Sequence, residues 1–299
     1  MKTYIYIIKC TCMALCVVAA AGLAACAEDD APQYRDAKST PMTFVADHPS
    51  MVRATDTDFE TGDRIGLYVS AADAPLEIGG NLVNNEALTF DGSQWKAART
   101  LYWDEGTYNA YAYYPYIKNV SSVEDQLFSV SVDQSTARTA TSLGGYEASD
   151  LLFAVSKDIT ASASPIHLTF RLMSKLKIRL IKGEDFEGEM PTTAKVYVHS
   201  TVPTATVDLQ AGVVTRYVKG ARHTIVARQD GDTNYSAIIV PQRLDNRVPL
   251  VEVVMNGVSY FYESKFQFKS GTEHLVNLII SNNPDQVKIN IGGEIKDWK

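Results

Sequence analysis

The feature that most restricts the fold is a long alternation of apolar and polar residues that begins at Ile166. Its apolar members share one parity: Ile166, Leu168, Phe170, Leu172, Leu176, Ile178 and Leu180. A period of two is typical of a β-strand with one buried face, and the intervening residues, including Lys175 and Lys177, are expected to face water. One straight strand of this length would reach roughly 50 Å. We therefore expect a bend or bulge near Met173–Ser174 that divides the segment between two sheets or two domains.

Short alternating segments separated by turns occupy most of the remaining chain. The turn sequences include Asp230-Gly231-Asp232, Asn256-Gly257 and Ser270-Gly271, and Asn-Gly between two alternating runs is a strong hairpin signal. We find no amphipathic pattern for a helix longer than a few turns. Many short strands with regular turns predict an all-β protein built from antiparallel β-sandwiches.

The length of 299 residues allows two domains of ordinary size. A small polar stretch, Thr160 to Ser164, precedes Pro165 and the long alternation. We place a boundary there, which predicts an N-terminal β-sandwich over 42–164 and a C-terminal β-sandwich over 165–299.

The amino terminus has the organisation of a secretory signal. Lys2 and Lys9 supply positive charge, Met13 to Leu23 is almost wholly apolar, and Leu23-Ala24-Ala25-Cys26 looks like a bacterial lipobox. We expect residues 1–25 to be removed, Cys26 to carry lipid that anchors the protein in the outer membrane, and residues 26–41 to form a tether. The acidic run Glu28-Asp29-Asp30 resembles a surface-export signal of Bacteroidetes lipoproteins, or it is simply a solvated start to the tether.

Cysteine usage and charge exclude several classes of function. Cys10, Cys12, Cys16 and Cys26 are the only cysteines, so the folded part is expected to hold neither a disulfide framework nor a cysteine-based metal site. The net charge is −7, and the two signal lysines are lost on processing. An acidic chain without a basic tract argues against nucleic acid as a partner.

A search for catalytic motifs is negative. The sequence contains no nucleophile elbow, no zinc-protease motif, no phosphate loop and no dinucleotide fingerprint, and its histidines lack ligand spacing. The carboxylates Asp56, Asp58, Glu60 and Asp63 miss the offsets of a calcium loop and are expected to be solvated turn residues. We predict neither an enzyme nor a bound cofactor or metal.

Aromatic residues are concentrated between Trp95 and Pro115. Trp95 and Trp103 are candidate ligand aromatics, because aromatic faces can stack on the apolar surfaces of a glycan. The favoured interpretation is that these rings fill the core of a sandwich. A surface lipoprotein that binds a glycan or a host molecule without polymerising stays open as the alternative function.

Several motifs in order resemble the fimbrillin-like lipoproteins of the Bacteroidales, the subunits of type V pili. They are Thr61 to Val69 (TGDRIGLYV), Tyr113-Tyr114-Pro115, Ser149 to Ala154 (SDLLFA), Leu168 to Leu176 (LTFRLMSKL), Ile238 to Gln242 (IIVPQ) and Ile295 to Trp298 (IKDW). The sequence departs from the family pattern at Arg171, where a histidine is more usual.

The resemblance implies two transthyretin-like β-sandwich domains and a role as a subunit of surface pili that support adhesion. It also implies that an arginine-specific protease removes an amino-terminal strand, so that a strand from another pilin subunit can take its place. Arg53 fits the cleavage site because it lies between a first strand at Met42 to Val45 and the Gly62-Asp63 strand. Arg35 is the runner-up, although cleavage there would free only the tether.

A donated strand would need an alternating terminal segment. The donor-strand candidates are Val287, Ile289, Ile291, Ile295 and Trp298. The chain continues for a single residue beyond Trp298, so this segment is equally interpreted as the last strand of its own domain. That second interpretation favours an anchor or tip subunit over a stalk subunit.

Overall fold

The computed structural model describes residues 40–47, 59–162, 164–169, 173–283 and 288–295. The first eight strands are β1 (Phe44–Asp47), β2 (Arg64–Ala71), β3 (Val83–Phe90), β4 (Trp95–Ala97), β5 (Thr107–Tyr114), β6 (Gln126–Ser129), β7 (Leu152–Thr160) and β8 (Ile166–Thr169). A one-turn helix, α1 (Gly145–Ser149), lies between β6 and β7.

Eleven further strands follow in the carboxy-terminal half. They are β9 (Ser174–Lys182), β10 (Lys195–Thr201), β11 (Thr204–Asp208), β12 (Val213–Arg216), β13 (His223–Val226), β14 (Arg228–Gly231), β15 (Asn234–Ile239), β16 (Gln242–Met255), β17 (Val258–Phe268), β18 (Thr272–Ile280) and β19 (Lys288–Ile295). The all-β prediction is confirmed.

The strands form five sheets in the described residues. Their orders are β4-β3-β2-β5-β7, β1-β8, β14-β15-β9-β18-β19, β13-β10-β16-β17 and β12-β11-β6. Pairing is antiparallel throughout except between β1 and β8 and between β9 and β18. No helix in the described part of the chain is long and apolar enough to cross a membrane.

Buried apolar side chains form two clusters. The first cluster lies between the five-stranded sheet of β2 and the β1-β8 pair, and it includes Ile65, Leu88, Trp95, Ile166 and Leu168. The second cluster fills the carboxy-terminal half, but Tyr68, Tyr111 and Tyr113 also belong to it. Strands β2 and β5 therefore bury one face in each cluster, which explains why these strands are buried along nearly their whole length.

The long alternation is divided as its sequence predicts. Strand β8 pairs with β1, whereas β9 pairs with β15 and β18 in a different sheet. The predicted domain boundary falls just before β8, and two pairings cross it, since β8 joins β1 and β6 joins β11. The division into domains 42–164 and 165–299 stays a prediction.

The prediction that Lys175 faces water is wrong. Its side chain is fully buried, with Nζ lying 3.8 Å from Glu273 Oε2 on the neighbouring parallel strand and 5.9 Å from the Tyr146 ring of α1. The segment that carries α1 covers this end of β9. A period of two identifies the two faces of a strand, but it cannot show that a later segment covers the polar face.

Candidate functional site

The first strand, β1, is the candidate site because the resemblance described above implies that an amino-terminal strand is removed, and because β1 contributes to a core. Buried and exposed side chains alternate here: Met42 and Phe44 are 7% and 8% exposed, whereas Val45, which follows Phe44, is 36% exposed. Both buried residues lie in the first cluster. The strand therefore contributes side chains to the core rather than lying along the surface.

Hydrogen bonds hold β1 along two sides. On one side it runs parallel to β8, with Phe44 opposite Ile166, and the Ile166 N–H donates to the Thr43 carbonyl at 2.8 Å. On the other side the Met42 N–H donates to the Leu101 carbonyl at 2.8 Å. The Trp95 indole N–H also donates to the Ala46 carbonyl, at 3.4 Å.

We use the name β1 trough for the surface formed by Trp95, Leu101, Trp103, Ile166 and Leu168. All five side chains are buried and share the first cluster with Met42 and Phe44. An open cleft of about 640 Å³ lies between β1 and the segment that contains β4 and Leu101. The trough is thus an apolar surface against which one extended strand packs.

The charged side chains that line the cleft beside the β1 trough lie at its rim. The charged residues beside the cleft, Lys96 and Arg99, are exposed at its rim and face Asp91 at 2.6 Å and Glu86 at 3.6 Å. Behind the trough, burial raises the pKa of Tyr108, with a further contribution from the Asp104 carboxylate. The trough can therefore exclude water from an apolar strand, and its lining offers no nucleophile.

The two candidate ligand tryptophans lie in the core, as the favoured interpretation predicts. Trp95 is 6% exposed and makes an edge contact with Phe59 at 4.9 Å between ring centroids. Trp103 is 5% exposed and lies against Tyr108 at 5.4 Å. Neither ring offers an open face for a glycan to stack on.

The predicted processing residues Cys26, Arg35 and Arg53 lie outside the described residues. The strands on either side of Arg53 are nevertheless close to their predicted places, since β1 ends at Asp47 and β2 begins at Arg64. Any cleavage in the link between them would separate β1 from the rest of the fold.

The donor-strand candidates are divided in the same way. Val287 and Trp298 lie outside the described residues, whereas Ile289, Ile291 and Ile295 lie in β19. The β19 backbone pairs antiparallel with β18 at the edge of its sheet, with Ile289 opposite Leu278. Gly293 pairs with Leu275 and Ile291 with Val276, so Gly292 forms a bulge.

The sequence alone does not reveal which residues pack against β1. The sequence places Ile166 and Leu168 in the second predicted domain, and none of the motifs includes Leu101. The alternation at 166–169 indicates that the side chains of Ile166 and Leu168 are buried. It does not indicate which strand they pack against. A parallel pairing between segments about 120 residues apart in sequence leaves no local signal.

No group of three or more His, Cys, Asp or Glu side chains among the described residues could hold a metal ion.

Comparison with known proteins identifies the family to which this chain belongs. Residues 52–298 match the model of the fimbrillin-like family. The chain belongs to the fimbrillin-like family.

Two solved structures share the fold of this fimbrillin-like chain. A Bacteroides uniformis protein named for cell adhesion is 20% identical, with a TM-score of 0.66 over 89% of this chain and 100% of its own. A second protein named for cell adhesion, from Bacteroides ovatus, is 19% identical, with a TM-score of 0.64 over 88% of this chain and 98% of its own.

Among curated proteins, the chain is similar to a Bacteroides ovatus protein named as a fimbrium tip subunit, Fim1C. The two are 26% identical over an alignment of 159 residues that covers 48% of this chain. The matched region spans only 28% of that relative's length.

Proposed function

We propose that this protein is a structural subunit of surface pili that supports adhesion, delivered to the outer membrane as a lipoprotein through Cys26 and assembled by strand exchange after cleavage at Arg53. The main support for the proposal is the way β1 packs in the β1 trough. It is a four-residue strand that fills the β1 trough and is joined to the rest of the fold through the link that contains Arg53. Membership of the fimbrillin-like family supports the assignment to pili.

Loss of β1 would leave an unstable surface. Burial of a side chain the size of Met42 or Phe44 contributes about 1.5–3 kcal/mol, and this contribution would be forfeited for both residues. The Leu101 carbonyl and the Ile166 N–H would lose their partners as well. An extended strand from another subunit with apolar residues at alternate positions would restore both contributions, which is the driving force for assembly.

The position of β19 bears on which kind of subunit this is. In the monomer its backbone is already paired with β18, so donation would require β19 to leave its own sheet. In a fibre built by strand donation, the subunit at one end accepts a strand without donating one. We propose that this chain occupies such a terminal position, and the named tip subunit among its relatives supports that assignment.

Amino-terminal sequencing of protein sheared from the surface of cells tests this proposal. We expect the assembled form to begin at Ala54 and to lack lipid. Arg53→Ala should abolish incorporation into fibres, and Arg35→Ala should leave it intact. Recovery of lipidated monomer beginning at Cys26, with none in fibres, would contradict strand exchange, and a start at Asp36 would favour Arg35.

A peptide experiment tests the trough itself. Purified protein cleaved after Arg53 and freed of β1 should bind a peptide that copies residues 40–47. The same peptide with Phe44→Asp should bind at least about tenfold more weakly, because it forfeits the buried ring. Equal binding of the two peptides would show that the trough does not select apolar side chains.

A further inference from the structure

The outer face of the β13-β10-β16-β17 sheet carries a row of rings, of which Phe261 is exposed and Tyr197 and His199 are half-buried. Tyr197 of β10 lies opposite Glu252 of β16, and Glu252 lies opposite Phe261 of β17. Cross-strand partners share a face of the sheet, so the three side chains form a row across three strands. Phe261 is 47% exposed, while the other face of the same strands is buried in the second cluster.

His199 completes this row. Its Nε2 lies 2.9 Å from Glu252 Oε2, and its Nδ1 lies 2.9 Å from Thr224 Oγ1. The imidazole makes angles of 28° with the Tyr197 ring and 32° with the Phe261 ring, at centroid separations of 6.4 and 6.2 Å. The three rings are thus roughly aligned around a carboxylate whose orientation is fixed.

Irregular backbone lies directly beside the row. The register between β10 and β13 shifts between Val198 and Thr201, and within this bulge Ser200 has φ of +65°. The Ser200 hydroxyl donates to the carbonyl of Pro249 at 3.1 Å, where β16 has its own register shift. Bulges and left-handed non-glycine residues cost stability and are concentrated at functional sites.

Unused hydrogen-bonding capacity remains at the row. Within the described residues, neither the Tyr197 hydroxyl nor Glu252 Oε1 has a hydrogen-bond partner. A cleft of about 430 Å³ opens beside Tyr197, and its lining also includes the polar residues Asp133, Thr192 and Gln229. The face therefore combines ring surfaces with acceptors for hydroxyl groups.

We propose that this face, centred on Tyr197, His199, Glu252 and Phe261, binds a neutral oligosaccharide. Sugar rings offer apolar C–H surfaces that stack on aromatic faces and hydroxyl groups that donate to a carboxylate. Tyr197 and Phe261 lie two strand spacings apart, roughly 10 Å, so that successive sugar units can contact both rings. Glu252 at the centre repels sialylated and sulfated glycans.

The composition of the face favours a glycan over a protein partner. Exposed charged residues, Lys195 and Glu263, flank the rings, and charged residues are depleted at the centres of protein interfaces. The site does not depend on strand exchange, because its four central residues lie on the carboxy-terminal strands β10, β16 and β17.

The test uses the intact monomer on an array of unsubstituted oligosaccharides displayed beside their sialylated and sulfated forms. We expect binding to neutral glycans and weaker binding to their charged counterparts. Phe261→Ala and Phe261→Leu should each lower the affinity for the best neutral glycan at least about tenfold, and Glu252→Gln should do the same. Tyr102→Ala is the matched control, since Tyr102 is 48% exposed and lies outside the face, and it should leave binding unchanged.

Phe261 is exposed, so its substitution tests binding without risk to folding, and thermal unfolding of each variant verifies this. A blank array, a preference for charged glycans, or affinity unchanged by Phe261→Leu would each overturn the proposal. Because the assay uses unassembled protein, its failure is independent of failure in pilus assembly.

Discussion

Arg138 joins three carboxylates from two separate segments. Its guanidinium lies 2.7 Å from Asp63 Oδ1, 3.4 Å from Glu147 Oε2 and 3.6 Å from Glu60 Oε2. The prediction that Asp63 is a solvated turn residue is wrong, because Asp63 is 4% exposed. Burial and the Asp63 carboxylate together raise the pKa of the neighbouring Tyr114. The turn before β2 is therefore tied to a segment about 75 residues later by charge.

Arg138→Ala should lower the free energy of unfolding by about 3 kcal/mol, because it leaves the buried Asp63 carboxylate without its cation. Arg99→Ala is the control, since Arg99 is 71% exposed and faces Glu86 at 3.6 Å. It should cost about 0.5 kcal/mol or less. Urea unfolding of the two variants measures the difference, and equal losses would refute a structural role for Arg138.

Tyr68 has a fully buried side chain whose hydroxyl has no hydrogen-bond partner among the described residues. Burial raises the pKa of Tyr68 from 10.0 to about 12, and Tyr116 adds to the shift. The folded protein then retains a proton that the unfolded chain loses. The stabilising effect is complete below pH 10 and disappears as the pH rises to about 12.

Tyr68→Phe should be neutral at pH 7 or stabilise the protein by up to about 1 kcal/mol, because it removes an unpaired buried hydroxyl. Above pH 10 the wild type should lose an additional 1.4 kcal/mol or so per pH unit relative to the variant. Urea unfolding at neutral and alkaline pH measures both effects. Parallel stability curves for the two proteins would contradict the assigned pKa.

At the scale of elements, strands β2 and β5 meet through a glycine. Gly66 lies opposite Tyr113, and a Cβ at Gly66 would lie 2.3 Å from the Tyr113 ring. The ring cannot move aside freely, because its hydroxyl donates to Asn85 Oδ1 at 2.6 Å. The motif residue Gly66 thus makes room for a tyrosine from the neighbouring strand.

Gly66→Ala should therefore destabilise the protein by about 1–3 kcal/mol through overpacking. Gly79→Ala is the matched control, because a Cβ there meets nothing within 4 Å, and it should change stability by less than about 0.5 kcal/mol. Thermal unfolding of both variants compares them. A Gly66→Ala variant as stable as its control would show that Tyr113 can be displaced.

The hairpin between β16 and β17 shows how much an element can owe to local sequence. Asn256 and Gly257 have φ of +50° and +79°, and Met255 pairs with Val258 across the turn. Positive φ at both central residues is the condition that selects Asn-Gly. This element was predicted correctly because all its determinants are adjacent in the chain.

At the scale of the whole molecule, the two halves share strands and core. Strand β6 from the first half pairs with β11, with Leu127 opposite Thr206. Gln134, also from the first half, is fully buried, and its side chain exchanges two hydrogen bonds of 2.8 Å with the Ile238 backbone. The carboxy-terminal half is incomplete without these residues.

A fragment of residues 165–299 should therefore fail to reach the native state alone, because it lacks β6, Gln134 and the strand that covers β8. A fragment beginning at Ser121 keeps β6 and Gln134 and should be the more stable of the two. Amide hydrogen exchange compares the protection of β11 and β15 in each. Full protection in the shorter fragment would show instead that 165–299 is an autonomous domain.

The sequence by itself determined the fold class, the division of the 166–180 alternation and the hairpin at Asn256-Gly257, because periodicity and turn chemistry act between residues close in the chain. Only the tertiary structure decided that Ile166 packs against β1 and that Lys175 and Asp63 are buried. It also decided that Trp95 and Trp103 belong to the core, and which rings of β10 and β17 form a row on the outer face of their sheet. Contacts of this kind depend on which distant strands become neighbours, and loop closure and packing settle that without leaving a local signal.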